Sequence, residues 1–288
     1  LYKVDFCAQI NYVRDSYQKD AQQKSTLQAA SRIAFDWVES VDKPLLRAYE
    51  KTIRDRKYFF QLTPYPVVPY HFVLVQRAVS PMRMDGENVA DLLCLLEQMP
   101  HYVLVSNSDV VNAGASIPEH HHYQCLRALS LPLMQAAVLK DYQFDQDGLR
   151  GGLLHFPSTV CRFMSSDHEA LIAKTTRVIA AFKKTDPGHA SVNLCVQKQN
   201  DETIVHMVFR NNHYQTSDSY QKIKSEGLGI LEVSGMGIYP VPKDPELDRK
   251  ITQQGLDVVT GIMKDNNPID VGAYDAFFDE IIQGGAAS

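Results

Sequence analysis

The run Asn112-Ala113-Gly114-Ala115-Ser116-Ile117-Pro118-Glu119-His120-His121-His122-Tyr123-Gln124 opens as a small-residue loop and continues with the pattern of a β-strand. On a strand, side chains alternate between faces, so His120, His122 and Gln124 are expected to share one face, with His121 and Tyr123 on the other. Neighbours on a face stand roughly 6.5–7 Å apart, twice the rise per residue. Two imidazoles and a carboxamide in a row suit phosphate chemistry. A neutral imidazole is a nucleophile near pH 7 when an acceptor holds its other nitrogen and fixes the tautomer. Gln124 has an amide N–H for a phosphate oxygen. The Ser116 hydroxyl and the backbone N–H groups from Gly114 to Ser116 can cradle the remaining oxygens as charge develops. Three plainer readings compete: a metal site, a solvated polar run, and a strand whose histidines only satisfy hydrogen bonds.

The combination of H-x-H-x-Q with an upstream N-x-G-A-S resembles the signature of the galactose-1-phosphate uridylyltransferase branch of the histidine-triad superfamily. That branch also includes diadenosine tetraphosphate phosphorylase and GDP-L-galactose phosphorylase. The resemblance implies that His122 is the nucleophile that becomes nucleotidylated and that His120 supports it. Gln124 stands where the triad hydrolases carry a third histidine, a change that accompanies transfer to a phosphate acceptor rather than to water. Asn112, Gly114 and Ser116 are the matching loop positions. The implied function is nucleotidyl transfer, of the hexose-1-phosphate uridylyltransferase or nucleoside-diphosphate-sugar and dinucleotide phosphorylase type, through a covalent nucleotidyl-histidine. The partners are then a nucleotide or nucleotide sugar and a phosphate or sugar 1-phosphate acceptor. Two alternatives remain open: a non-catalytic nucleotide-binding protein on the same scaffold, and a metal-dependent hydrolase using the histidine tract.

Working outward, Tyr58–Leu62 and Tyr70–Val75 are aromatic and β-branched runs around a Pro-rich bend, expected to pair as strands. The run Leu62–Val75 is similar to the nucleoside-facing hairpin of that superfamily. Thr63 matches its ribose-contacting position, where relatives carry Asn or Asp. His71, within a core-type run, reads as structural. Gln9-Ile10-Asn11-Tyr12-Val13-Arg14 is similar to a Q-φ-N-x-x-R element of these relatives, which makes Arg14 a candidate phosphate ligand. The polar stretch from Asp15 to Tyr49 suits helices broken at Pro44. Asp85–Met99 has the spacing of an amphipathic helix, and Tyr102–Ser106 that of a short strand.

Beyond the motif, Thr159–Met164 alternates like a strand, and Asp167–Lys184 reads as a helix with Asp167 as its N-cap. Ser191–Gln197 and Thr203–Arg210 form an expected hairpin that resembles a second, degenerate half of a duplicated histidine-triad unit. On that resemblance Asn193 and Arg210 are candidate ligands for a substrate phosphate. His206 stands where some uridylyltransferases hold a structural metal, but the accompanying H-x-H is absent. Leu228–Gly235 resembles a strand that closes the sheet, with Glu232 and Ser234 lining the pocket or serving the sheet edge. Two helices, Glu246–Met263 and Val271–Ile282, and a disordered tail from Gly284 to Ser288 complete the expected chain.

The expected fold class is α+β: an antiparallel sheet from two related halves, residues 1–150 and 151–288, with helices packed on it. At 288 residues with a net charge of −5, the chain is large enough for a substantial core and is not a basic binder of nucleic acid or membrane surfaces. It has no apolar run of membrane-spanning length and no evident signal peptide, and it does not begin with Met. Five cysteines without C-x-x-C spacing read as reduced thiols, so the expected setting is cytoplasmic. The paired cysteines that bind zinc in many uridylyltransferases are missing, and no metal or cofactor is expected. A homodimer is compatible with the resemblance.

Overall fold

A computed structural model describes residues 2–11, 33, 35, 48–63, 66–114, 117–224, 227–240 and 245–284. Apart from isolated positions, the helices expected before Ala48 lie outside the described residues, as do Arg14, Ser116 and the tail from 285.

The strands are β1 (Cys7–Asn11), β2 (Ala48–Ile53), β3 (Arg56–Leu62), β4 (Phe72–Gln76), β5 (Tyr102–Ser106), β6 (His122–Arg127), β7 (Val138–Gln146), β8 (Leu149–Leu154), β9 (Val160–Ser165), β10 (Ala190–Gln199), β11 (Glu202–Asn211) and β12 (Met236–Pro240). The helical segments are α1 (Gly86–Gln98), α2 (Pro132–Gln135), α3 (His168–Thr185), α4 (Asp218–Gln221), α5 (Ile230–Val233), α6 (Pro245–Asp265) and α7 (Tyr274–Phe277), the last continuing as a π-type turn over Phe278–Gln283.

Strands β2 to β11 form one antiparallel sheet in the order β2-β3-β4-β6-β5-β10-β11-β9-β8-β7. The element sequence β-β-β-α-β-β occurs twice, as β2–β6 with α1 and β7–β11 with α3. Each copy has the same strand order counted from its own edge, and the copies meet where β5 pairs with β10. The second copy starts with β7 at Val138, so the division expected at residue 150 falls inside β8, within a hairpin. β1 and β12 form a separate parallel pair.

Both faces of the sheet are covered. Tyr58, Leu74, Tyr123, Cys125, Leu104, Leu194, Met207 and Phe209 pack under α1, α3 and the C-terminal segment. Asp85 and Asp167 cap these two long helices, each accepting backbone N–H bonds in the first turn. The opposite face, with Val103, Val105, Leu126, Cys195 and Val208, packs against α5, α6 and β12. The closing strand expected over Leu228–Gly235 is instead the short helix α5, and the chain becomes extended only at Met236. Glu232 accepts from the Gly229 N–H at 2.6 Å and pairs with the buried Lys224, so it caps that turn of helix. Among the described residues no helix is long and apolar enough to cross a membrane.

Candidate active site

Strand β6 begins at His122, next to Val75 on β4, and His122 and Gln124 share the face that carries Val105 and Cys195. His120 lies before the strand, so the expected row of two imidazoles and a carboxamide is not formed. The supporting contact comes from the His120 backbone. Its carbonyl accepts a hydrogen bond from His122 Nδ1 at 2.7 Å, and a proton on Nδ1 places the ring's lone pair on Nε2. The His120 ring donates from Nε2 to the Gln76 carbonyl at 2.7 Å, and burial lowers its pKa. β4 thus clamps the turn that feeds the motif strand, since the Gln76 N–H also donates to the His121 carbonyl at 3.0 Å.

His121 points to the other side of the sheet into a chain of buried polar groups. Its Nδ1 accepts from the Arg83 N–H at 3.2 Å, and its Nε2 donates to the Tyr123 hydroxyl at 2.8 Å. Tyr123 bonds to Tyr58, whose hydroxyl donates to Asp91 Oδ2 at 2.6 Å. Arg56 pairs with the same carboxylate, donating from Nε to Oδ2 at 2.9 Å. Every proton in this chain points toward Asp91, which is wholly buried. Burial, with Arg83 nearby, pushes the His121 pKa down to about 3, so the ring is neutral and keeps this direction.

The loop before the motif is tied down at Asp109. Its carboxylate accepts from Lys183 on α3 and from Ser191 on β10, both at 2.6 Å, and from the Met84 N–H at 3.1 Å. Asn112 and Gly114 then take left-handed backbone angles, φ 64° and 108°. A Cβ on Gly114 would lie 2.9 Å from Asn193 Nδ2 and 3.2 Å from Arg210 Nη1, so only glycine lets this loop approach the second half of the sheet.

Three of the sequence candidates are therefore gathered, Gly114, Asn193 and Arg210, with the exposed Asn112 two residues ahead in the same loop. Arg210 is 1 % exposed; its Nη1 donates to Asn193 Oδ1 and to the Leu228 carbonyl, both at 2.9 Å. Its Nε and Nη2, and Asn193 Nδ2, are buried donors without an acceptor. Burial lowers the Arg210 pKa to about 10, opposed by Glu232, so it stays cationic at neutral pH. Continuing the sheet registers by one residue sets His122, Asn107 and Asn193 in one row. Two strand spacings, roughly 10 Å, separate the first from the last.

The other candidates stand apart. Thr63 follows β3, four residues along from Phe59, which shares the row of His122, and Gln124 is nearer that end of the sheet. His71, beside Gln124, accepts from the Val67 N–H at 3.2 Å, and burial lowers its pKa to about 4. His206 accepts at Nε2 from Arg162 Nε at 3.0 Å, so a guanidinium already occupies that lone pair. Two residues escaped the sequence reading. Asn107, in the row between His122 and Asn193, accepts from the Ile230 N–H at 2.9 Å. Arg83, next to His121, has Nε and Nη2 buried without partners. Their only sequence signal was position, one just after a strand and the other just before a helix.

The twice-repeated β-β-β-α-β-β sheet, with the H-x-H-x-Q segment leading into an inner strand, is a fold of the histidine-triad-like kind. The chain is similar in sequence to galactose-1-phosphate uridylyltransferases of Staphylococcus saprophyticus (28% identity over 215 residues, 66% of this chain and 43% of the relative) and Lactiplantibacillus plantarum (27% over 224 residues, 70% and 45%). It spans less than half the length of these curated relatives. A family model described as a domain of unknown function, DUF4922, matches residues 42–127. In fold the chain is similar to yeast Ap4A phosphorylase Apa2, with a TM-score of 0.57 at 15% identity over 82% of each chain. The same enzyme in complex with AMP gives 0.50 at 13% identity, covering 78% of this chain and 90% of that one.

Proposed function

We propose that the chain is a nucleotidyltransferase acting through a covalent nucleotidyl intermediate on His122. The observation that carries this reading is the 2.7 Å bond from His122 Nδ1 to the His120 carbonyl, which sets the tautomer a nucleophilic Nε2 requires. A nucleoside diphosphate-sugar or dinucleotide binds across the motif face. His122 Nε2 attacks the α-phosphorus, a P–N bond forms, and the P–O bond to the departing phosphate breaks, its electron pair leaving with that oxygen. A phosphate or sugar 1-phosphate then attacks the same phosphorus, and the P–N pair returns to the ring. Gln124 donates to a non-bridging oxygen, and the loop at Asn112 and Gly114, with Ser116, supplies further donors. Arg210 and Asn193, roughly 10 Å along the row, take a second phosphate: their unpaired buried donors need an anionic acceptor. Arg14 and Thr63 are proposed to serve the phosphate and ribose ends.

The metal-hydrolase alternative draws little support from the tract. His120, His121 and His122 each commit ring nitrogens to different backbone or side-chain partners and point into different surroundings.

Intact-mass measurement after incubation with UDP-glucose, a GDP-hexose or diadenosine tetraphosphate tests the reading. The expected result is a gain of one nucleoside monophosphate, lost on adding phosphate or a sugar 1-phosphate and absent in His122→Ala. An adduct retained by His122→Ala overturns the assignment, and nucleotide affinity without any adduct makes the chain a binding protein.

A further inference from the structure

Asp186, His189 and His213 form a second cluster, at the end of the β10–β11 hairpin where α3 finishes. One ligating atom from each lies within 4.8 Å of the other two. His213 Nε2 is 3.6 Å from Asp186 Oδ2, and the two imidazoles stack with centroids 4.1 Å apart. Neither the motif nor the proposed transfer uses these residues. We propose that they form a binding site for a zinc-class divalent cation.

The surroundings are built to present ligands. His189 Nδ1 donates to Asn212 Oδ1 at 2.7 Å, which fixes the proton there and directs the Nε2 lone pair outward, the supporting hydrogen bond usual for a metal-bound histidine. Asp186 Oδ2 is held by Asn211 Nδ2 at 2.7 Å, and Asn211 Oδ1 accepts from the His213 N–H at 2.9 Å. Asp186 caps the C-terminus of α3, where the helix dipole favours a cation. Two imidazoles and one carboxylate select a transition metal over magnesium or calcium, and three protein ligands leave positions for water. The rings stack at 27°, and a nitrogen of each lies within 4.8 Å of the other and of an Asp186 carboxylate oxygen. Metal–ligand bonds of about 2.0–2.2 Å require these atoms to close in, and the exposed His213 ring is the one with room to turn. Gln215, two residues on, donates to the Asn112 carbonyl at 3.0 Å, so a loaded site braces the hairpin end against the motif loop.

The test is equilibrium dialysis of the chelator-treated full chain against zinc chloride, with cobalt(II) absorption as a second readout of ligand geometry. One equivalent is expected to bind, with affinity falling roughly 30-fold or more in His189→Ala and in His213→Ala, and about 10-fold in Asn212→Ala. Circular dichroism of His213→Ala, a change at an exposed ring, separates lost binding from lost folding. Zinc binding unchanged in the His189→Ala/His213→Ala double variant, zinc binding lost instead in His120→Ala, or no stoichiometric binding at all each overturns the proposal.

Discussion

At the residue scale, Gly114 makes the meeting of the two halves testable. Its φ of 108° disfavours any side chain, and a Cβ there would press on Asn193 Nδ2 and the Leu228 carbonyl. Gly148, in the β7–β8 turn, also has a left-handed φ of 72°, but a Cβ there would meet nothing within 4 Å. Alanine at either position costs about 1 kcal/mol of backbone strain. Only Gly114→Ala also displaces the donors at Asn193 and Arg210. It is expected to weaken binding of a nucleoside diphosphate at least 10-fold, whereas Gly148→Ala changes only the melting temperature. Calorimetric titration of both variants checks the contrast, and equal losses would remove Gly114 from the site. Arg210 itself separates charge from bulk. Arg210→Met removes two unsatisfied buried donors, Nε and Nη2, along with the bonds from Nη1, so stability is expected to hold within about 1–2 kcal/mol while affinity for the substrate phosphates drops. Urea unfolding read beside nucleotide binding distinguishes this from a purely structural arginine, whose loss would lower stability and leave affinity intact.

At the scale of elements, the motif strand is held by its reverse side. Asp91 on α1 ends the hydrogen-bond chain from His121, and Arg56 and Tyr58 on β3 converge on it. Asp91→Ala leaves the buried Tyr58 hydroxyl without its acceptor and Arg56 with Glu87 as its remaining carboxylate partner. The expected cost is about 1–3 kcal/mol, with His121 and hence the start of β6 loosened. Tyr123→Phe cuts the chain in its middle and is expected to cost about 1–3 kcal/mol. Denaturant unfolding of the two variants and their double mutant gives a coupling energy, and strict additivity would mean that no connected chain exists. What the sequence disclosed about elements follows the same physics. The inner strands β3, β4, β5, β10 and β11 read clearly from β-branched and aromatic runs, and α1 and α3 from their apolar spacing, α3 also from its Asp167 cap. The unread strands β2 and β7 are the two edges of the sheet; Ala48–Ile53 and Val138–Gln146 are largely exposed and carry charges that obscure the period of two. β8, an inner strand, was also unread, because the division expected at residue 150 falls at its glycine pair, Gly151 and Gly152. They lie inside β8, where a Cβ would run into the Arg162 and Tyr142 carbonyls at 1.8 and 2.1 Å. The Leu228–Gly235 run is apolar enough for a strand, yet the Glu232 cap closes it into a turn of helix, a local contact that hydrophobicity does not encode.

For the molecule as a whole, joining two copies through β5 and β10 places imidazoles inside a continuous sheet, and that ties folding to pH. The motif residues His120, His122 and Gln124 were legible as a string, whereas the candidates Asn193 and Arg210 belong to the other copy, and only the β5–β10 junction sets the two groups in one sheet. The same burial excludes water from His71, His121 and His206, whose pKa values fall to about 4, to about 3 and well below the ordinary value. In each case the unfolded chain takes up a proton near pH 6.5 while the folded one does not, so the unfolded state binds more protons as pH falls through this window. Stability is therefore full above about pH 7 and declines from there toward pH 4, each such histidine costing about 2 kcal/mol by pH 5. His121→Gln, which can still bond to Tyr123, is expected to be less stable at pH 7 but to lose less between pH 7 and pH 5 than the parent. Urea midpoints at the two pH values measure both effects. A variant whose pH slope matches the parent's would show that the His121 ring takes up its proton without opening the sheet.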